Sequence, residues 1–149
     1  GAPMLYYGTE VGMWGANDPC DRQPMFWSDL AYDNETQGFR GPLSSSNPRA
    51  PDMDLFAFYQ KLIALRHDTP ALRRGAFRWL PSPDDATLVF ERELHGAKVL
   101  CAIHKGMEEV TVDLPQAARD LWTGEEISAG PVRVPANGFL LASLLSPEK

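Results

Sequence analysis

A chain of 149 residues has room for one ordinary domain or two small pieces, and a composition 44% apolar and 23% charged is that of a globular protein. A net charge of −6 speaks against the basic face that nucleic-acid binding requires, and no apolar run reaches the length of a membrane span, so neither nucleic acid nor membrane is an expected partner. Cys20 and Cys101 are too few and too far apart for a disulfide framework or a metal site, and the three histidines have no ligand spacing. No metal and no cofactor are expected. The two thiols read as unpaired ones of a reducing compartment, which favours the cytoplasm.

Residues 1–13 read as an apolar β-run that opens into a glycine-punctuated loop, the pattern of a strand covered on both faces in a parallel sheet. A parallel strand needs a neighbour reached through a long crossover, and none precedes it here. The chain is therefore expected to be cut from something larger. A long polar excursion follows to residue 51, with Gly41-Pro-Leu-Ser-Ser-Ser-Asn-Pro48 as its most loop-like stretch. Trp14, Phe26, Trp27 and Phe39 argue against plain disorder there.

Residues 52–75 carry the clearest helical pattern. Asp52 can cap it, and Asp54 puts negative charge in the first turn. Leu55, Tyr59, Leu62 and Leu65 keep to one face, with Arg66 and His67 at the cationic end. Pro70 stops the run, and Ala71–Gly75 reads as a last turn closed by glycine. From residue 76 the pattern is all-β. Leu88, Phe90 and Arg92 alternate with Val89, Glu91 and Glu93, His95-Gly96 turns the chain, and Val99, Cys101 and Ile103 return. Short strands are expected at Val110–Leu114, Leu121–Trp122, Val132–Val134 and Phe139–Leu144, which makes a small antiparallel sandwich. Strand, long loop and closing helix (1–75), then an antiparallel β-sandwich (76–149), is the order found at the end of a (β/α)8 barrel enzyme, where loops after the strands carry the active site.

Specific residues sharpen this. The opening run Gly1-Ala-Pro-Met-Leu-Tyr-Tyr-Gly-Thr-Glu-Val-Gly-Met13 resembles the eighth barrel strand of the α-amylase family of glycoside hydrolases, written G-x-P-x-x-Y-Y-G-D-E-x-G-M. Asp18-Pro-Cys-Asp-Arg-Gln-Pro-Met-Phe-Trp27 is similar to the D-P-x-x-R-x-P-M-x-W segment of its neopullulanase and cyclomaltodextrinase branch. Leu62–Arg66, Pro70–Leu72 and Gly75 resemble the closing helix, and Phe77 onward the C-terminal sandwich. The resemblance covers essentially the whole chain. It departs at Thr9, where the family has an acidic residue, and at Cys20-Asp21, where the branch has the order Asp-Cys.

The resemblance implies the C-terminal portion of a retaining α-glucan hydrolase for α-1,4 and also α-1,6 bonds in maltooligosaccharides, cyclodextrins or pullulan. Such enzymes need a carboxylate nucleophile and an acid flanking the bond. In this family these lie on earlier strands, so no catalytic residue is expected here and the chain alone is expected to be inactive. The missing N-terminal part of the same enzyme is the implied partner and an α-glucan the implied ligand. For substrate binding the candidates are Asp18, Arg22 and Trp14: a carboxylate accepting from vicinal hydroxyls, a guanidinium fork, and an indole that can stack on a sugar ring. A bracing Asp18–Arg22 pair is the alternative for the first two. Glu10 is expected to be hydrogen-bonded within the barrel, Trp27 to pack under the loop, Tyr6 and Tyr7 to be core, and His104 to serve a turn. Trp79 and Trp122 read first as core or interface residues and second as an aromatic platform for polysaccharide, which makes a non-catalytic carbohydrate-binding or structural sandwich the second function. Solvent-facing tryptophans would favour binding, and buried ones scaffolding.

Overall fold

The computed structural model describes residues 2–15, 22–38 and 40–145, and it divides into two compact units, residues 1–63 and 64–149. In the first unit the expected opening strand is not formed. Residues 2–6 pair with nothing in a ladder, and Met4 is 88% exposed, with Leu5, Tyr6 and Tyr7 open beside it. The physical reason is the one that makes parallel strands dependent on neighbours: no described strand offers its edge to this run, so its apolar side chains have nothing to cover them. Tyr6 and Tyr7 are accordingly not core; their rings rest on each other at 4.9 Å. The run ends in a single 3-10 turn, Thr9–Val11, flanked by Gly8 and Gly12 with φ of 86° and 71°. The positive φ favours glycine at Gly8, and a Cβ there would also crowd the Met13 side chain.

The excursion that reads as a loop contains a hairpin, β1 (Glu35–Gly38) with β2 (Gly41–Asn47), antiparallel with an irregularity between Glu35 and Gln37. Phe26, not Trp27, is the buried aromatic of this excursion, its ring 5.2 Å from that of Tyr32; Trp27 is exposed. The helix then starts where its cap was expected. In α1 (Met53–Asp68) the Asp52 carboxylate accepts the Leu55 N–H at 2.9 Å, and Arg66 and His67 occupy the last turn. Leu55, Tyr59, Leu62 and Leu65 form a half-buried stripe. Pro70 does not simply end the run. It opens a second helix, α2 (Pro70–Arg74), at the first position, where its missing N–H costs nothing.

The second unit is a sandwich of unequal sheets. Six strands lie in the order β3-β4-β5-β10-β7-β8: β3 (Ala76–Trp79), β4 (Thr87–Leu94), β5 (Ala97–His104), β10 (Phe139–Leu144), β7 (Ala118–Asp120) and β8 (Glu126–Ile127). The second sheet is β6 (Val110–Leu114) with β9 (Gly130–Val134). The β4–β5 hairpin turns on His95 and Gly96, both at positive φ, as a two-residue turn of right-handed twist requires. Alternation then decides the faces. Val89, Leu100, Ala102, Leu140 and Ala142 meet Val112, Leu114 and Val134 of the small sheet in one buried cluster, each large side chain contributing about 1.5–3 kcal/mol. On the other face Val99 and Cys101 pack under Ala71 and Leu72 of α2. The strand expected at Leu121–Trp122 lies instead at β7, because Asp120 Oδ1 accepts the Trp122 N–H at 2.8 Å and turns the chain.

Candidate functional site

The first unit gathers its polar chemistry on Glu35. The hairpin places this carboxylate at the start of β1, its side chain 13% exposed, and three donors converge on it from distant parts of the sequence. Trp14 Nε1 donates to Oε2 at 2.9 Å, Gln23 Nε2 donates to Oε1 at 3.3 Å, and Arg49 Nη2 stands 3.6 Å from Oε1. The Trp14 hydrogen bond, and then the Arg49 charge, hold the Glu35 carboxyl below its usual range against the opposing effect of burial. Gln23 also reaches the Trp14 carbonyl at 3.5 Å, and Tyr7 Oη donates to the Gln23 carbonyl at 2.8 Å. A cavity of about 140 Å³ beside this network is lined by Tyr6, Tyr7, Thr9, Met13, Trp14 and Gly15.

Of the three binding candidates, Trp14 is 45% exposed with its indole N–H committed to Glu35, which fixes the ring while leaving part of it open. Arg22 is exposed on the segment that leads into Gln23. Asp18 lies outside the described residues, as do Cys20 and Phe39. The sequence reading missed Glu35, Gln23 and Arg49. Nothing in the spacing of a glutamate at 35 and an arginine at 49 announces that a hairpin will bring them together. Glu10, expected to be hydrogen-bonded, has a buried carboxylate oxygen, Oε2, without a protein partner.

The second unit holds a cleft of about 480 Å³ lined by Arg78, Glu91, Thr111 and Asp113 together with Leu80 and Val89. Glu91 is buried there and paired with Arg78 Nη2 at 3.0 Å and Lys98 Nζ at 3.9 Å. His104, expected to serve a turn, reaches across the one that follows β5. It is buried at the end of β5, with Thr87 Oγ1 2.8 Å from Nδ1 and Nε2 donating to the Glu108 carbonyl at 2.8 Å. Trp79 is 61% exposed, and Trp122 packs edge-on against Phe139 at 5.2 Å.

Antiparallel sandwich and preceding helices define a fold shared with α-amylase-type enzymes. The structure superposes over 99% of its length on the α-amylase of Geobacillus thermoleovorans (TM-score 0.71, 23% identity, 31% of that chain) and over 97% on a cyclic α-maltosyl-(1→6)-maltose hydrolase of Arthrobacter globiformis (TM-score 0.68, 25% identity, 27% of that chain). In sequence it is 31% identical to a cyclomaltodextrinase of Geobacillus thermopakistaniensis over 98% of this chain, and 34% identical to neopullulanase 2 of Thermoactinomyces vulgaris over 85%. No protein-family model matches it. The chain is thus a relative of the α-amylase family of glycoside hydrolases, in the cyclomaltodextrinase and neopullulanase branch. It spans only 23% and 20% of the length of those two relatives.

Proposed function

We propose that this chain is the C-terminal segment of a retaining α-glucan hydrolase: residues 1–75 the last strand, loop and closing helix of its (β/α)8 barrel, and residues 76–149 its sandwich domain. The observation that carries the reading is the pairing of two shares, nearly all of this chain but under a quarter of the relatives. The open apolar run at residues 2–7 and the orphaned Glu10 oxygen support it, since both are features that a surrounding barrel would cover and satisfy. The parent would cleave α-1,4 and, as a second linkage, α-1,6 bonds of maltooligosaccharides, cyclodextrins or pullulan. Its nucleophile and acid would come from the rest of the enzyme.

Within this segment Asp18, Arg22 and Trp14 are the substrate contacts. Glu35 acts as a positioning residue that anchors the Trp14 ring through its N–H, leaving the ring for a sugar. The test is to join this chain to the part of the Geobacillus thermopakistaniensis cyclomaltodextrinase that precedes the matched segment. The chain alone should leave maltoheptaose, cyclodextrin and pullulan untouched. The joined enzyme should hydrolyse them with retention of the anomeric configuration, read by proton NMR of the first product. Turnover by the rigorously purified chain, or a folded joined enzyme without activity, would refute the assignment.

A further inference from the structure

Where β4 starts beside the end of β5, the sandwich holds a short chain of polar contacts. Thr87 and His104 are partners across the two strands, and both are buried. His104 Nε2 meets the Glu108 carbonyl at 2.8 Å, and its Nδ1 stands 2.8 Å from Thr87 Oγ1. Thr87 Oγ1 in turn stands 2.5 Å from Asp84 Oδ1, which also accepts the Ala86 N–H at 3.0 Å.

The protons in this chain can be counted. A carbonyl only accepts, so Nε2 carries a hydrogen. Thr87 has a single hydroxyl hydrogen and two short contacts to fill. If it is given to Nδ1, two oxygens face each other at 2.5 Å with no hydrogen between them unless Asp84 is protonated. If it is given to Asp84, Nδ1 must bring a hydrogen of its own. Both contacts are hydrogen bonds only when the array holds one proton more than a neutral imidazole and an ionised carboxylate. Asp84 is exposed, and its Oδ1 already receives the Ala86 N–H, which suits the ionised form; the extra proton therefore belongs on His104. The other charged groups nearby are engaged or in solvent. Asp85, Lys105, Glu108 and Asp113 are exposed, Glu109 pairs with Arg133 at 3.2 Å, and Glu91, on the same face of β4, pairs with Arg78 at 3.0 Å. Residues 135–138, whose Gly138 carbonyl accepts the His104 N–H, carry no charge. Asp84 is the counter-charge.

The segment that Asp84 anchors also lines the cleft of about 480 Å³, through Leu80, Pro81, Ser82 and Pro83. We propose that Asp84, Thr87 and His104 form a proton-operated latch on this segment. In the latched state Nδ1 of the imidazolium donates to Thr87 Oγ1, and the Thr87 hydroxyl donates to Asp84, which ties the segment to both strands. When His104 gives up its Nδ1 proton to water, the Thr87 hydroxyl turns to Nδ1 and Asp84 loses that bond. The cleft lining is then held at its far end by the Ala86 carbonyl, which accepts the Lys105 N–H at 3.0 Å. The latched state binds one proton more than the released one, so acid favours the latch and rising pH opens it. The latch lies wholly within the second unit and does not depend on the glucan-hydrolase reading.

The test takes the full chain, isotopically labelled at nitrogen, from about pH 5 to about pH 9, a range that brackets the ordinary imidazole value of about 6.5. Ring-nitrogen shifts of the three histidines report which nitrogens carry hydrogen. His104 should show two protonated ring nitrogens at the acid end and only Nε2 protonated at the alkaline end. Measured against its intrinsic rate at each pH, the Ala86 amide, whose acceptor is Asp84, should exchange at least roughly tenfold faster in the alkaline form. Asp84→Asn changes an exposed side chain and keeps an accepting oxygen but removes the counter-charge. It should move the His104 step to lower pH by roughly half a unit or more. A His104 with a single ring N–H across the whole range overturns the latch. So does a His104 step with no change at Ala86, or one that Asp84→Asn leaves in place.

Discussion

Replacing Glu35 by glutamine tests whether the carboxylate is the hub of the first unit. Two oxygens receive three donors: Oε2 takes the Trp14 indole at 2.9 Å, and Oε1 faces Gln23 and Arg49. Glutamine keeps the shape but has one accepting oxygen, so either the indole or the Gln23–Arg49 side must meet an amide N–H. A hydrogen bond to a charged group contributes about 1.5–3 kcal/mol. The lower end applies here, since Arg49 is a third exposed and its 3.6 Å pairing with Glu35 adds little. A loss of about 1.4 kcal/mol corresponds to a roughly tenfold faster exchange of the Trp14 indole proton, read from the indole region of a nitrogen–proton correlation spectrum in which only four tryptophans contribute. The same loss should follow acidification. Glu35 has a folded-state pKa below the ordinary 4.5, so its stabilisation is complete above 4.5 and disappears as pH falls through the lower folded value. Equal indole exchange in the two proteins at neutral pH, or no acid effect in the unaltered chain, would refute the hub.

Thr87→Val keeps volume but strands His104 Nδ1 in a buried site and takes a hydroxyl from Asp84, 2.5 Å away; a cost of about 2 kcal/mol, or a melting temperature of the second unit lower by roughly 8–16 °C, is expected by calorimetry. Burial pushes the Cys101 thiol up to about 12 from 9.0. It should therefore resist a disulfide reagent until the sandwich unfolds, and its contribution to stability should fall as pH rises from 9 towards 12, because only the unfolded thiol ionises in that window. In the joined enzyme, Arg22→Ala and Asp18→Asn should lower kcat/KM for longer glucans by about ten- to a hundredfold and spare the shortest substrate; a lower melting temperature with unchanged kinetics would assign the pair to bracing the loop instead.

What the sequence made legible is what local physics decides. Alternation at 87–94 and 97–104, with a His-Gly turn between them, specifies a hairpin without reference to anything else, and the hairpin is there. The Asp52 cap acts within three residues of itself. The larger failures share one cause, dependence on partners far away in the chain, while the shift of the Leu121–Trp122 strand is local, set by Asp120 two residues away. Gly41–Asn47 is polar enough to read as loop, yet it pairs with Glu35–Gly38 because a ladder needs backbone groups rather than apolar side chains. The opening run reads as a buried strand and meets no partner strand among the described residues. The Glu35 hub needs a hairpin to exist before Arg49 can find it.

That distinction also separates the two units. In the sandwich the inner faces close on each other, and its buried charge, Glu91, has two cationic partners. Where that unit is open, at Trp79, Phe77 and Leu88, the side chains are those a sequence places against protein rather than water. The first unit has the same mismatch at its opening run, written for burial and left in solvent, and at Glu10, a buried oxygen with no donor. A sequence selected to stand alone would not retain both an uncovered apolar strand pattern and an uncovered aromatic sheet face, since each invites aggregation. Both become ordinary packing once a larger body supplies the neighbours, which supports the proposal that these residues are one end of an α-glucan hydrolase.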